Sequence, residues 1–288
     1  MRHYPVLLGE VEELLAIRPE GVYIDATAGA GGYSERIASR LDTGRLIVMD
    51  RDADALNETR RRLERFGEKV SFYGGVYSEI EQAAGDAAPL LGIVADLGLS
   101  RMQLADSERG FSFQAAGPLD MRMDRRQALT AEDVVNHWDE VSLADAIWRW
   151  GDERRSRRIA RAIVRERPIR DTAHLAAVVE KAVPRTKKSR IHPATKTFQG
   201  IRVAVNDEMG ELDRFLEVAP ALLAKSGRMA AVSFQSHEDR RVKLAFRELA
   251  RTDKFELLTR RPVRPSDQEV GENPASRSAK LRAVERTG

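Results

Sequence analysis

Three short apolar runs in the first hundred residues each end in an aspartate: VYID at Val22–Asp25, LIVMD at Leu46–Asp50 and GIVAD at Gly92–Asp96. A fourth run, Val70–Tyr73, lies between the second and third. Stretches with helical character, Tyr33–Leu41, Ala53–Phe66 and Tyr77–Ala84, separate them. Short apolar runs alternating with helices require βαβ crossovers, and hence a parallel, doubly wound sheet. Such sheets bind ligands beyond the carboxyl ends of their strands, where strand order reverses. One aspartate at a strand end reads as a helix cap; three in succession mark a lined site.

The first run passes into the turn DATAGAGGYS, with Gly29, Gly31 and Gly32 opening a helix. Glycine there lets backbone approach a ligand that a Cβ would hold off. Dinucleotides and S-adenosylmethionine (SAM) both use such turns. A dinucleotide fingerprint needs a third glycine where this chain has Ser34. Its pyrophosphate would also meet Asp25. No Gly-Lys-Ser/Thr follows, so a P-loop is excluded. SAM carries a sulfonium and an ammonium and no phosphate, so an acid-lined pocket suits it. Asp50, 25 residues after Asp25, can accept from two ribose hydroxyls. Asp96 can hydrogen-bond an exocyclic amine and turn its lone pair toward a methyl donor, a reaction that gains most from alignment. Gln103 lies one turn beyond.

Past Ala128 strand candidates cease until Thr195, and Val141–Trp150, Arg154–Arg167 and Thr172–Ala182 read as helices. We expect a discontinuous core, 1–127 and 196–288, around an all-α insertion at 128–195 that contacts RNA. Trp148 and Trp150 are expected to pack inside that insertion. After it, Phe198–Ala224 reads as one helix broken near Pro220, followed by a strand at Arg228–Phe234. SHED at Ser236–Asp239 reads as a cap with Ser236 leading. Phe255–Thr259 and Ala279–Glu285 are final strand candidates.

Net charge is only +3, but arginines cluster in Arg122–Arg126, Arg154–Arg170, Arg185–Arg190 and Arg260–Arg264. Clustered cations suit a phosphate-bearing partner, although a charge run is commonly only a solvated face. The absence of cysteine excludes disulfides and thiolate chemistry. The histidines show no ligand spacing, so no metal is expected. No eighteen-residue apolar run or cleavable leader is present, pointing to the cytoplasm and away from membranes.

Nearly end to end the chain resembles the bacterial 16S ribosomal RNA cytosine-N4 methyltransferases of the MraW type. The resemblance rests on HYPVLLGEV at His3–Val11, the D-x-T-x-G-x-G-G turn, MDRD at Met49–Asp52 and DLGLS at Asp96–Ser100. ERGFSF at Glu108–Phe113, GPLDMRMD at Gly117–Asp124 and IHPATKTFQGIRVAVNDE at Ile191–Glu208 extend it. SFQSHEDR at Ser233–Arg240 and NPASRSAKLR at Asn273–Arg282 complete it. It implies a class I SAM-dependent methyltransferase, α/β and Rossmann-like with a mostly parallel sheet, carrying an inserted all-α domain. Its implied target is the N4 amine of a cytidine in the decoding region of 16S rRNA on the small ribosomal subunit.

Cofactor contacts would fall on Gly31, Gly32, Tyr33, Asp50, Tyr77, Asp96 and Gln103, with Gly29 and Asp25 in the same turn. Arg101, Lys187, Lys188, Arg190, His192 and Gln235 are the candidates for RNA contact, together with the arginines of 154–167 and 277–282. Three positions depart from the family pattern: Tyr33 and Gln235 stand where histidine is usual, and Arg101 where a small residue is. Another nucleic-acid target, or a SAM-binding assembly factor without turnover, stays open at this stage, as does a homodimer.

Overall fold

Seven strands form one sheet in the order β3-β2-β1-β4-β5-β7-β6 in the computed structural model, which describes residues 5–185 and 191–288. These are β1 (Val22–Asp25), β2 (Arg45–Asp50), β3 (Val70–Gly74), β4 (Leu90–Asp96), β5 (Leu223–Ser233), β6 (Phe255–Leu257) and β7 (Lys280–Arg286). The first five run parallel, while β7 runs antiparallel to both β5 and β6. Strand order reverses at β1, which pairs with β2 on one side and β4 on the other. The aspartates that end β1, β2 and β4 therefore all sit at the carboxyl edge of the sheet, around that reversal.

Each central strand feeds two cores. Leu46 and Val48 of β2 pack on one face with Tyr23, Val94, Tyr33 and Ile37. Ile47 and Met49 pack on the other with Ile24, Ile93, Phe215 and Phe246. Burial on both faces explains why these strands read as continuous apolar runs rather than alternating ones. Each such side chain contributes about 1.5–3 kcal/mol.

Two compact units emerge: 1–98 with 209–288, and 99–208. The boundaries differ from the expected 127 and 196. Residues 99–127 contain little helix, yet Phe111, Leu119, Met121 and Met123 fill the core of the helical unit beside Val134, Ile147, Ile163 and Phe198. The motif residues of this stretch act as a strap. Arg109 donates to the carbonyls of Arg122 (3.0 Å) and Met123 (2.9 Å), and Arg122 forks onto Asp120.

The helix expected over Phe198–Ala224 is two helices, Ala194–Val205 and Glu208–Val218. The break lies at Asn206–Asp207, where Asp207 takes φ 46°. Buried Asn206 accepts from Met123 N–H and donates to the Met121 carbonyl, while Arg202 and Glu208 form a two-pronged ion pair across the break. Pro220 sits in a short 3-10 turn, and Ala224 already belongs to β5. Trp148 also departs from expectation: it is 57% exposed, because its helix buries Leu143, Ala144 and Ile147 instead. Trp150 is half-buried. Among the described residues no helix is long and apolar enough to cross a membrane.

Candidate active site at the carboxyl edge of the sheet

The loop from Asp25 to Gly32 ties β1 to both of its neighbours. Ala26 N–H donates to the Val94 carbonyl of β4 and Ala28 N–H to the Met49 carbonyl of β2. Gly29 N–H donates to the Asp50 carboxylate at 2.9 Å, and Thr27 Oγ1 accepts the Asp96 N–H at 2.6 Å. From behind, Thr59 and Arg62 donate to the Gly29 and Ala30 carbonyls. Gly29 and Gly31 both take the left-handed conformation, at φ 51° and 76°. A Cβ on Gly31 would also meet Thr59 at 3.0 Å. The result is a backbone cradle opening onto the start of helix Gly32–Ala38.

Three carboxylates line this edge with different surroundings. Asp25 is fully buried; it accepts from Thr27 N–H (3.2 Å) and the Ser34 hydroxyl (2.5 Å). Through these bonds it holds the turn. Ser34, at the missing third glycine, is explained by the same bond. Burial raises the Asp25 carboxyl to about 7, against the hydrogen bonds from Ser34 and Thr27.

Asp50 accepts from Gly29 N–H on one oxygen and from Asp52 N–H (2.9 Å) on the other. A carboxylate offers about four lone-pair positions, so one remains on each oxygen for a vicinal diol. Burial raises Asp50 to about 6, the Asp52 and Gly29 N–H groups opposing it. Asp96 is half-buried as a residue, but its Oδ1 is shut off from solvent and has no hydrogen-bond partner. Burial, then the charges of Asp25 and Glu238, raise it to about 8.

The β5 end contributes Gln235 as the N-cap of helix Ser236–Leu249, in place of the expected Ser236. Glu238, almost fully buried, accepts the N–H groups of Phe234 and Gln235, each at 3.0 Å. Glutamine at a position usually held by histidine thus serves a capping box whose other half is Glu238. Neither Glu238 nor Thr27 was singled out from sequence; the D-x-T spacing and the E three residues past Gln235 were the available signals.

Other expected site residues fall as follows. Tyr33 is buried, and its hydroxyl donates to the Val6 carbonyl, anchoring the N-terminal segment. Gly32 lies against Pro5, which a Cβ would meet at 2.7 Å. Tyr77 begins the turn after β3 and packs edge-on to Phe215, centroids 5.3 Å apart. In the helical unit, Gln103 closes a capping box with Ser100, whose N–H it accepts at 3.0 Å, and Arg101 is exposed in the same short helix.

Also in the helical unit, His192 packs on Phe113, accepts from Ala194 N–H (3.2 Å) and lies 3.7 Å from Glu180. Lys187, Lys188 and Arg190 lie outside the described residues. Some of the clustered arginines are satisfied within the chain: Arg122 and Arg126 pair with Asp120 and Asp124, and Arg282 is buried against Asp239. Among the described residues no cluster of His, Asp or Glu could hold a metal.

These residues fit a cationic cofactor bearing a ribose. The shut-off, unpartnered oxygen of Asp96 and the glycine cradle are the observations that carry the fit. A family model described as the MraW methylase family matches residues 1–287. A ribosomal RNA small subunit methyltransferase H from Solibacter usitatus is 55% identical, covering 98% of this chain and 99% of that protein. Proteins of the same name from Koribacter versatilis and Crocosphaera subtropica are 50% and 46% identical, each over 99% of this chain and over 94% and 89% of their own lengths.

Proposed function

We propose, from the premise that this chain belongs to the MraW methylase family, that it methylates the N4 amine of a cytidine in the decoding region of 16S rRNA. Its cofactor is SAM, which supplies an electrophilic methyl group on a positively charged sulfur. The single observation that best supports the reading is the orphaned Asp96 Oδ1 at the end of β4. Asp50 holds the ribose through its two remaining lone-pair positions, and the Gly29–Gly32 turn takes the methionine end. Asp96 accepts an N–H of the cytosine amine and so points the nitrogen lone pair at the methyl carbon. At an oxygen shut off from water that hydrogen bond orients more strongly than it would in solvent.

Tyr77 and Gln103 join the cofactor set through the family resemblance. Arg101, His192, Gln235 and the Lys187–Arg190 run form the proposed RNA set, which works in the cytoplasm on the small subunit. Cytosine N4 is partly hidden in a duplex, so the target is flipped or already unpaired. Incubation with labelled SAM and small subunits lacking the mark should place label on one cytidine N4. Label on another base, or SAM binding without label, would overturn the assignment.

The three raised carboxylates give a proton-linkage prediction. Between about pH 4 and 8 the folded, ligand-free protein binds more protons through Asp25, Asp50 and Asp96 than the unfolded chain does. These groups therefore lower stability as pH rises through that window. A bound cation favours their ionised forms, so SAM binding at pH 7 should release protons and tighten toward pH 8. Calorimetry in buffers of different ionisation enthalpy reads this directly, and proton uptake would contradict it.

A further inference from the structure

Helices Glu140–Gly151 and Ser156–Glu166 pack together within the helical unit. Only residues 152–155 join them, and Arg161 of the second reaches Glu140 at the start of the first (3.4 Å). They form an antiparallel hairpin whose turn end gathers Trp148, Arg149, Arg154, Arg155, Arg157 and Arg158. All six are exposed. Elsewhere many of this chain's arginines pair with carboxylates, as Arg62 does with Glu35, Arg202 with Glu208 and Arg228 with Glu285. At the hairpin end, Arg154, Arg155, Arg157 and Arg158 have no ion pair among the described residues, and Arg149 has only exposed Asp145 at 3.4 Å.

Arg154 and Arg155 immediately precede the second helix and Arg157 and Arg158 stand in its first turn, so four cations crowd a helix N-terminus, where the helix dipole disfavours positive charge. A local rule broken without compensation inside the chain marks a surface whose partner lies outside it. The cations are all arginine, whose planar fork suits phosphate oxygens and stacks on rings. Beside them Trp148 leaves 57% of its surface uncovered. A two-fold contact with a second copy would bring the same cations face to face, which disfavours self-association here.

We propose that this hairpin end is an RNA-docking surface. Its arginines take the phosphates of an unpaired or bulged segment, and Trp148 stacks on one of that segment's bases. The inference rests on the reading of the substrate as RNA.

The test uses a fluorescein-labelled 16S rRNA fragment containing the decoding region, with binding followed by anisotropy across a salt series. The triple variant R154Q/R157Q/R158Q should bind at least tenfold more weakly near 0.1 M salt. Its log–log salt slope should fall in magnitude by about 2, near 0.7–0.9 per lost phosphate contact. Trp148→Ala should weaken binding about five- to tenfold with the slope unchanged, as expected for a lost stack. SAM affinity and melting temperature should match the parent in both variants. If the parent binds the fragment and both variants match its affinity and slope, the docking surface is refuted while the methyltransferase reading stands. If the parent neither binds the fragment nor methylates small subunits, the substrate reading itself fails.

Discussion

Replacing Asp96 with alanine is expected to cut methyl transfer by about a thousandfold while leaving the protein folded. The two halves have one cause. The Asp96 Oδ1 is shut off from water with no partner, so its charge gains nothing in the empty fold. Its pKa, raised by burial to about 8, records that cost. An acid whose folded pKa lies above its unfolded value leaves stability untouched below about pH 4 and lowers it progressively up to pH 8. Asp96→Ala should therefore raise the melting temperature at pH 8.5 and leave it unchanged at pH 4. Asp96→Asn keeps a carbonyl acceptor and should retain more activity than alanine, with a loss of some tens of fold. Near-parental turnover in the alanine variant would remove Asp96 from the amine-orienting role.

The second large effect concerns Asp50. Asp50→Ala is expected to raise the dissociation constant for SAM about a hundredfold, close to 2.7 kcal/mol, with kcat at saturating SAM little changed. The substitution removes the proposed ribose acceptor and also strands the N–H groups of Gly29 and Asp52 that the carboxylate holds. Freed of that bond, the left-handed turn at Gly29 and Gly31 loses its fixed distance from β2. Calorimetric titration measures the change; an unaltered constant would mean that the ribose is held elsewhere. A fall in kcat without loss of affinity would move Asp50 from binding to chemistry.

The sheet was legible because its central strands are buried on both faces, and a strand buried twice is apolar at every position. The aspartates at strand ends were equally visible, since nothing else interrupts such runs. What sequence could not apportion was which carboxylate is already occupied from within the chain. Asp25, Asp50 and Asp96 look alike on paper, yet Ser34 and Thr27 occupy the first, backbone N–H groups half-fill the second and nothing fills one oxygen of the third. Those differences depend on contacts across up to 21 residues of chain, as between Gly29 and Asp50.

The unit boundary was displaced because residues 99–127 carry few helical signals, and only packing reveals that Met121 and Met123 belong with the helices. At Asn206–Asp207 no glycine or proline announces the break; a buried asparagine side chain makes it. Trp148 was misread since hydrophobicity alone implies burial, whereas the helix had smaller side chains to bury.

The place of the helical unit in the chain also bears on how the protein is made. Strand β4 pairs with β5, matching Asp96 to Val232, yet residues 99–208 must be synthesised between them. At ordinary rates of translation those roughly 110 residues take about 5 to 20 s. Throughout that interval β1, β2, β3 and β4 can assemble, but the β4 edge has no neighbour and β5 does not yet exist. An unpaired central strand invites pairing with other chains. The helical unit, whose core is drawn wholly from its own residues, can meanwhile fold first. Newborn chains thus pass through a stage in which one body is finished and the other stands open at the seam where its last three strands will join.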